Sequence, residues 1–304
     1  MPARREQIGV IGLGIMGSAM AANLVSAGFP VVGYDVLARR RAVLSKAGGH
    51  AARSARDLAG RAQIVITSLP SAEALRDVAA QLAVAGNRGQ IVIETSTLPI
   101  AIKEQARATL AKRGVTLLDC PLSGTGAQAR VKDLVVYASG PSGAYRRCVP
   151  VLEGFARAHY FLGSFGAGSR MKFVANLLVA IHNVSTAEAM VLGTKAGLDP
   201  ATMVKVLGDG AGSSRMLQVR GPMMVKGDYS DAAMKVGVWQ KDMRIIGEFA
   251  RELDCPTPLF AATTPIYNAA MAMGFAEADT ASVRAVLEQW AAPKNRKRRR
   301  PRRR

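Results

Sequence analysis

IGVIGLGIMGSAMAANLVSAGF, residues 8–29, decides the fold, because it places a glycine-rich turn between a short apolar run and a helical stretch. The turn has the pattern Gly12-x-Gly14-x-x-Gly17. Gly12 permits a tight turn, Gly14 lets the backbone approach a pyrophosphate, and Gly17 lets helix and strand pack closely. The amide groups at the helix N-terminus then face the phosphate charge. The pattern predicts a dinucleotide-binding turn with the contact residues Gly12, Leu13, Gly14, Ile15, Met16 and Gly17.

Asp35 ends the second apolar run and lies eighteen residues after Gly17. A carboxylate at this position accepts hydrogen bonds from both hydroxyls of a ribose and repels a 2′-phosphate. Asp35 therefore favours NAD over NADP. Arg39, Arg40 and Arg41 follow closely, and a guanidinium can offset a 2′-phosphate, so NADP stays open as the alternative.

Around this turn, residues 1–163 alternate short apolar runs with helical stretches. The runs are rich in Val and Ile and mostly do not alternate with polar residues, which is typical of strands buried on both faces of a parallel sheet. Strands are predicted at 8–11, 31–34, 64–68, 91–94, 117–119 and 134–138, and helices near 16–27, 38–47, 71–84, 99–113 and 142–153. The βαβα order predicts an α/β fold with a doubly wound Rossmann domain over residues 1–163.

After Gly168 the pattern changes, because apolar residues recur at helical spacing and no strand-like run competes. One long helix is predicted from Met171 to about Ala196. Further helices are predicted near 200–208, 214–225, 233–253, 257–273 and 280–291. Residues 164–291 are therefore expected to form an all-α C-terminal domain, joined to the first domain by a long helix.

The formal net charge of the chain is +19, but much of it lies in one short segment. Residues 292–304, APKNRKRRRPRRR, hold nine Lys and Arg and no acidic residue, which leaves +10 on the rest (19 − 9). We expect this segment to be a disordered basic tail, since it has almost no apolar residues. A solubilising extension is the preferred interpretation of the tail, and weak, salt-dependent binding of nucleic acid is the alternative.

The three cysteines, Cys120, Cys148 and Cys255, are far apart, and the chain has only three histidines. Neither a disulfide framework nor a metal site is predicted, because the required spacings are missing. The uninterrupted apolar runs are too short to span a bilayer, and the N-terminus lacks the pattern of a signal peptide. A cytoplasmic protein without membrane association is therefore expected.

Further segments carry short motifs in a fixed order along the chain. They are Ser68-Leu69-Pro70 with Ser96-Thr97, the DCPLSGT of residues 119–125, the GAGSRMKFVAN of residues 166–176, and Lys241-Asp242. Together with the glycine turn they resemble the β-hydroxyacid dehydrogenase family, which includes 3-hydroxyisobutyrate dehydrogenase. The match runs from about residue 6 to 290 and includes the family's D-x-P-V-S-G-G substrate motif and G-x-G-x-x-x-K-x-x-N-N catalytic motif.

The resemblance implies a role for each matching residue. It makes Lys172 and Asn176 the catalytic pair, and it assigns substrate carboxylate binding to Ser123, Gly124 and Thr125. It adds Leu69, Pro70, Thr97 and Lys241 to the cofactor contacts. It also implies that the helical domain serves substrate binding and dimerisation, with a homodimer or homotetramer as the assembly.

Lys172 suits this chemistry on physical grounds as well. Oxidising an alcohol with NAD needs a base for the hydroxyl proton, and the reverse reaction needs an acid. A free lysine ammonium holds its proton too tightly to supply a base at neutral pH, but burial and an oxidised nicotinamide both favour the neutral amine. Asn176 lies four residues on, so both side chains project from one helix face.

The chain departs from the family pattern at four positions. Ala175 stands where the family usually has the first of two asparagines, and Thr125 replaces the last glycine of the substrate motif. Leu122 replaces a usual valine, and Met234 replaces a phenylalanine near Lys241-Asp242, the pair that in the family closes over the cofactor. These changes are compatible with the reaction, but they leave the identity of the substrate open.

The sequence therefore predicts an NAD-dependent oxidoreductase that moves a hydride between a nicotinamide and a small 3-hydroxy acid of the 3-hydroxyisobutyrate type. Reduction of a small aldehyde acid, such as glyoxylate, succinic semialdehyde or tartronate semialdehyde, is an alternative that uses the same site. A second alternative is a dehydrogenase-like protein without activity that binds nucleic acid through its tail. Retention of Lys172 argues against it.

Overall fold

The computed structural model describes residues 5–292 and divides into two compact units, one ending at Asn176 and the other starting at Leu177. The division falls inside a helix, whereas the predicted domain boundary lies at residues 163–164, where the sequence pattern changes. From residue 293 onward, the basic tail and its predicted disorder lie outside the described residues.

The first unit is built on a parallel sheet of six strands with the order β3-β2-β1-β4-β5-β6. These strands are β1 (Ile8–Ile11), β2 (Val31–Tyr34), β3 (His50–Ala51), β4 (Ile64–Thr67), β5 (Ile91–Glu94) and β6 (Thr116–Asp119). The helices between them are α1 (Ile15–Ser26), α2 (Ala38–Lys46), α3 (Ala55–Ala59), α4 (Ala72–Ala85) and α5 (Ile100–Ala111). The strand order reverses between β1 and β4, and an open α/β sheet binds its ligands at such a point.

A second, three-stranded sheet follows with the order β7-β8-β9. Its elements are β7 (Leu122–Ser123), α6 (Gly126–Arg130), β8 (Val135–Ala138), α7 (Ser142–Phe155) and β9 (Ala158–Phe161). β7 pairs antiparallel with β8, and β8 pairs parallel with β9. The run at 134–138 therefore belongs to this mixed sheet and not to the parallel sheet that its apolar composition suggested. Its burial alternates along the strand, unlike that of the central strands.

The central strands are apolar throughout because both of their faces are covered. Ile64 and Ile66 pack into one hydrophobic cluster with residues of α1 and α7, whereas Val65 packs into another with residues of α3, α4 and α5. Alternate residues of a strand point to opposite faces, so a strand between two helical layers needs an apolar residue at every position. The doubly wound fold predicted from the sequence is confirmed.

The second unit consists of helices. They are the later part of α8 (Ala167–Lys195), then α9 (Pro200–Asp209), α10 (Arg215–Lys226), α11 (Val236–Glu252), α12 (Pro258–Ala272) and α13 (Val283–Ala291), with two short 3₁₀ turns before α13. Between residues 177 and 292 no strand is formed apart from an isolated bridge between Lys235 and Asp279. The predicted all-α character is therefore confirmed for the described part of this unit.

Buried polar side chains tie these helices together. Asn183 donates from its amide to the Tyr267 hydroxyl at 3.0 Å and to the Thr280 carbonyl at 2.8 Å. Arg220 forms a buried ion pair with Asp279 at 3.1 Å. The Asn183 amide NH2, the Arg220 guanidinium and the Asp279 carboxylate thus each have a partner, which is the condition for burying them at low cost.

α8 is long and apolar enough, by length and composition, to cross a bilayer. The core helix of a soluble protein meets the same criteria, and 44% of its most apolar window is buried inside the molecule. α8 is thus longer and more continuously apolar than the short runs on which the sequence expectation relied, but it is weak evidence for a membrane span.

Candidate active site

The glycine turn follows β1 at the edge of the parallel sheet where all of its strands end. Gly12 has φ +88°, and a Cβ built there would lie 2.1 Å from the Ser68 carbonyl oxygen. A Cβ on Gly17 would lie 1.8 Å from the Gly12 carbonyl oxygen. Both positions therefore require glycine, one for its conformation and the contact with Ser68, the other for the approach of α1 to the turn.

Gly14 differs, because a Cβ there would meet no atom within 4 Å. The backbone at Gly14 is thus open on the side where a ligand would approach. Gly14 also caps α1, and no side chain provides a hydrogen bond to that helix start. Ile15 and Met16 begin the helix, so their amide groups are in position to receive an anion. An open glycine before an uncapped helix fits the pyrophosphate of a dinucleotide.

Asp35 follows β2, beside the glycine turn. Its Oδ2 accepts from the Leu13 amide at 2.8 Å and from Arg40 Nη1 at 3.2 Å, and its Oδ1 accepts from the Leu37 amide at 2.9 Å. The Leu13 amide is therefore committed to Asp35, and the carboxylate is fixed in orientation. A carboxylate has about four acceptor positions, so it can still accept a hydroxyl.

The segments after β4 and β5 lie at the same edge of the sheet. The Leu69 amide donates to Ser96 Oγ at 2.8 Å, which joins the two segments. Pro70 is exposed and Thr97 is half-buried. The three predicted contacts Leu69, Pro70 and Thr97 thus lie at the carboxyl ends of β4 and β5, on the same side of the sheet as the glycine turn.

The substrate segment follows β6. Ser123 ends β7, and Gly124 has φ +135°, which an ordinary side chain rarely adopts. The Thr125 amide is engaged by Gln128 Oε1 at 3.0 Å in a capping box at the start of α6. In this arrangement the Thr125 amide is occupied. Carboxylate binding would then fall to the Ser123 hydroxyl and the Gly124 amide.

The substrate segment and the glycine turn are neighbours. A Cβ on Gly126 would lie 2.4 Å from Ile15 Cγ2, so α6 begins in direct contact with the start of α1. The predicted substrate contacts and the predicted pyrophosphate contacts are therefore held against each other within one unit.

Lys172 and Asn176 lie on the first turns of α8, within the first unit. Lys172 is 9% exposed and Asn176 is 4% exposed. Their spacing places them one above the other on a single helix face. A solvated surface face, the ordinary interpretation of a Lys and Asn pair on a helix, does not match this burial.

Lys241 lies on α11, in the second unit, and pairs with Asp242 at 3.3 Å. The structure of that unit alone does not bring Lys241 to the glycine turn. Its role as a cofactor contact stays a prediction that depends on the resemblance.

One cluster of charged side chains was missed by the sequence analysis. Lys103 of α5 is fully buried and contacts Glu94 Oε2 at 3.3 Å and Asp119 Oδ1 at 2.8 Å. Burial lowers the pKa of Lys103, but the carboxylates of Asp119 and Glu94 raise it more, so the net pKa lies above the ordinary lysine value. A signal was present, because Lys103 shares the buried stripe of its helix with Ala106 and Leu110.

Two thiols near this cluster are poor candidates for chemistry. Burial raises the pKa of Cys120 well above its ordinary value, and it raises the pKa of Cys148 to about 12. A thiol needs its thiolate form to act as a nucleophile or metal ligand. Within residues 5–292, no group of three or more His, Cys, Asp or Glu is placed to hold a metal ion.

A dinucleotide-type glycine turn on a doubly wound sheet, an acidic residue after β2 and a separate helical unit together define a class. That class is the two-domain oxidoreductases that use a nicotinamide dinucleotide. Residues 7–163 match the family model of the NAD-binding domain of 6-phosphogluconate dehydrogenase. Residues 166–287 match the model described as the NAD-binding region of NADP-dependent 3-hydroxyisobutyrate dehydrogenase. The chain belongs to the β-hydroxyacid dehydrogenase family.

Individual relatives agree with this membership. L-threonate dehydrogenase of Cupriavidus necator is 35% identical over 282 residues, covering 91% of this chain and 95% of the relative. Glyoxylate/succinic semialdehyde reductase 2 of Arabidopsis thaliana is 29% identical, covering 97% and 84%. The crystal structure of 3-hydroxyisobutyrate dehydrogenase from Salmonella typhimurium superposes with a TM-score of 0.85 at 31% identity, covering 92% of this chain and 99% of that one.

Family membership confirms several predictions made from the sequence. The protein is an oxidoreductase of hydroxy acids, and its cofactor is a nicotinamide dinucleotide, NAD or NADP. Each of the relatives named above carries an enzyme name, and none supports the alternative of a protein without activity.

Proposed function

We propose that this protein is an NAD-dependent dehydrogenase that transfers a hydride between the nicotinamide and a small 3-hydroxy acid, with Lys172 as general acid and base. The observation that carries the proposal is the burial of Lys172 and Asn176 on one face of α8, in the same unit as the glycine turn. An ionisable group in such surroundings is typical of an acid–base site.

In this proposal the substrate carboxylate is held by the Ser123 hydroxyl and the Gly124 amide. Bound NAD supplies the hydride acceptor. During oxidation Lys172 Nζ takes the proton of the substrate hydroxyl while the C–H hydride leaves the same carbon, and the C–O bond becomes a carbonyl. In the reverse direction Lys172 returns the proton. Asn176 orients the lysine or the hydroxyl, since its amide both donates and accepts hydrogen bonds.

NAD is the proposed cofactor because Asp35 presents a carboxylate where the ribose hydroxyls of a dinucleotide would lie. A 2′-phosphate would meet that negative charge. Arg40 Nη1 lies 3.2 Å from Asp35 Oδ2. The positive charge of Arg40 is therefore partly offset by Asp35 and is less available to a 2′-phosphate. NADP remains the alternative cofactor.

The names of relatives support three alternative substrates. L-threonate, a four-carbon polyhydroxy acid, is named for a relative 35% identical to this chain. Reduction of glyoxylate or succinic semialdehyde is named for another, and tartronate semialdehyde belongs to the same chemical group. All of these molecules combine a carboxylate with a hydroxyl or carbonyl carbon, as the proposed site requires. We further propose a cytoplasmic homodimer or homotetramer.

The decisive experiment compares Lys172→Ala with the unchanged protein on a panel of these acids, with NAD and NADP. We expect kcat to fall about a thousandfold, since general acid–base catalysis contributes roughly 10²–10⁴. The dissociation constant of NAD, from calorimetric titration, should stay within about twofold, since the glycine turn is untouched. Lys112→Ala, at an exposed position after α5, is the control and should change neither value. Retained turnover, or an equal loss of cofactor binding, would rule out the proposed role.

A further inference from the structure

The start of α8, five residues before Lys172, is held by side chains from two sheets. The Gly168 amide donates to Ser139 Oγ at 3.0 Å, and the Ser169 amide donates to Asp119 Oδ2 at 2.8 Å. The Ala167 amide donates to the Ser164 carbonyl at 3.1 Å. The first amide groups of a helix lack partners within the helix. Here Asp119 and Ser139, at the ends of β6 and β8, supply partners for two of them.

The contact is close as well as polar. A Cβ built on Gly168 would lie 2.2 Å from the Tyr137 carbonyl oxygen and 2.7 Å from the Asp119 carbonyl oxygen. The backbone of α8 therefore rests directly on the ends of the two sheets. A helix seated in this way has little freedom to rotate or slide at its N-terminus.

Asp119 makes most of the side-chain contacts that hold the start of α8. Besides the Ser169 amide, it accepts from the Ser169 hydroxyl at 2.7 Å and from Ser139 Oγ at 3.2 Å. It also pairs with Lys103 Nζ at 2.8 Å, and all of these groups are buried. Together these contacts hold the carboxylate in one orientation. The carboxylate in turn holds Ser169 in place.

Glu94 completes the charge arrangement. It is the register partner of Asp119 on the adjacent strand, and it shares Lys103 with it. The two carboxylates and one ammonium leave one negative charge in excess. The partial positive charge at the N-terminus of α8 faces Asp119, and a helix dipole stabilises an anion there. The partial positive charge of the helix start thus balances the excess negative charge of Lys103, Glu94 and Asp119, which we call the buried triad.

The same triad reaches the predicted cofactor segment. Glu94 accepts from the Ser96 hydroxyl and from the Ser96 amide at 3.0 Å. Ser96 Oγ in turn accepts from the Leu69 amide at 2.8 Å. A continuous set of contacts, buried except at the part-buried Leu69 amide, therefore joins the segment after β4 to the helix that carries Lys172.

We propose that the Lys103–Asp119 ion pair is a positioning device that acts through Ser169 to hold Lys172 at its working place. This inference rests on the proposed function, because it assigns to the triad the task of aiming the general acid and base. Ser169 lies three residues before Lys172, almost one helical turn, so a small displacement of Ser169 is passed on to the lysine. Misplacement by about 1 Å can cost about a hundredfold in rate.

The test is a double-mutant cycle between Asp119→Asn and Lys172→Ala, assayed with the panel acid that the unchanged protein turns over fastest. Asp119→Asn keeps the shape of the side chain but removes the charge that Lys103 and α8 face, and it replaces one of the two acceptor oxygens by a donor. We expect kcat to fall about ten- to a hundredfold, with the NAD dissociation constant changed less than about threefold. In the Lys172→Ala background the same substitution should leave the residual rate unchanged, because the group being positioned is gone.

Ser169→Ala tests the same contact more gently, since it removes one hydroxyl and keeps the ion pair. Ser54→Ala is its matched control: Ser54 Oγ accepts from the Asp57 amide at 3.0 Å at the start of α3, in the same unit. Ser169→Ala should lower kcat at least threefold, whereas Ser54→Ala should lower the unfolding temperature without changing kcat.

The outcomes separate the two proposals. If Lys172→Ala retains turnover, the proposed function fails. If Lys172→Ala loses turnover but Asp119→Asn lowers the rate equally in both backgrounds, the function stands and the positioning role is overturned. An unchanged kcat in both Asp119→Asn and Ser169→Ala also overturns it.

Discussion

Asp35 shows how a single side chain can favour NAD over NADP where the fold alone accepts both. The parallel sheet and glycine turn serve NAD and NADP equally well. Three donors, the amides of Leu13 and Leu37 and the guanidinium of Arg40, fix the carboxylate at the end of β2. Asp35→Asn removes the negative charge and leaves one acceptor oxygen where two now accept from backbone amides, while Arg40 stays beside the position.

We therefore expect Asp35→Asn to raise the ratio of kcat/KM with NADP to that with NAD by about tenfold or more. A tenfold change corresponds to about 1.4 kcal/mol, a modest cost for one like-charge contact. Adding Arg40→Ala to this variant should reverse much of the gain, since the guanidinium then no longer meets the phosphate. An unchanged ratio in Asp35→Asn would mean that another group selects the cofactor.

Some of the side-chain arrangements in the site could be predicted from the sequence, and others could not. Lys172 and Asn176 lie four residues apart on one helix, so their shared face follows from the sequence. The meeting of Lys103 with Asp119 depends on the pairing of β5 with β6 and on the packing of α5 over them. The chain distance between the two residues carries no information about that register.

The glycine turn and α1 form one element, and its glycines have different tasks. Gly17→Ala would force the methyl group against the Gly12 carbonyl oxygen, so we expect a loss of about 1–3 kcal/mol in the free energy of unfolding. Gly14→Ala would point a methyl group into open space, so stability should change by less than about 1 kcal/mol. The NAD dissociation constant of Gly14→Ala should nevertheless rise at least tenfold, because the methyl group occupies the path of the pyrophosphate.

Chemical denaturation without cofactor and a fluorescence titration with NAD measure the two quantities separately. Normal NAD binding by Gly14→Ala would contradict the assignment of this turn as the pyrophosphate site. Normal stability of Gly17→Ala would contradict the close approach of α1 to the turn.

The elements that the sequence analysis missed are short or exposed. β3 has two exposed residues, His50 and Ala51, and β9 is a strand whose residues are half-buried or exposed, so neither gives an apolar run. α3 and α6 have five residues each, too few to repeat the helical period of about 3.6 residues. α6 did carry a signal, since Thr125 and Gln128 have the spacing of a capping box. The central strands were predicted because their residues are buried and mostly apolar, and the longer helices because their apolar residues recur over several turns.

For the whole molecule, buried protonated groups set the response to alkali. Burial raises the pKa of Tyr267 to about 12, and the pKa values of Tyr229 and Lys103 are raised as well. Below about pH 10 the Tyr267 phenol is protonated in both the folded and the unfolded chain. Between pH 10 and 12 the unfolded chain loses this proton first, so stability falls as the pH rises.

The free energy of unfolding, measured by urea denaturation, should fall between pH 8 and pH 11 in both the unchanged protein and Tyr267→Phe. We expect the fall to be smaller in Tyr267→Phe by about 1 kcal/mol, because phenylalanine has no proton to lose. Tyr160→Phe, at an exposed position of β9, serves as the control and should fall as the unchanged protein does. Equal pH dependence in all three proteins would show that Tyr267 does not contribute.

Gly168 has a consequence for laboratory evolution of this protein. Its neighbours are backbone oxygens, which cannot swing aside, so codon 168 has to stay constant in any library that diversifies the surroundings of Lys172. Gly143, near the start of α7, has no atom within reach of an added methyl group. Position 168 therefore tolerates only glycine, whereas position 143 has room for other side chains and can be included in a library.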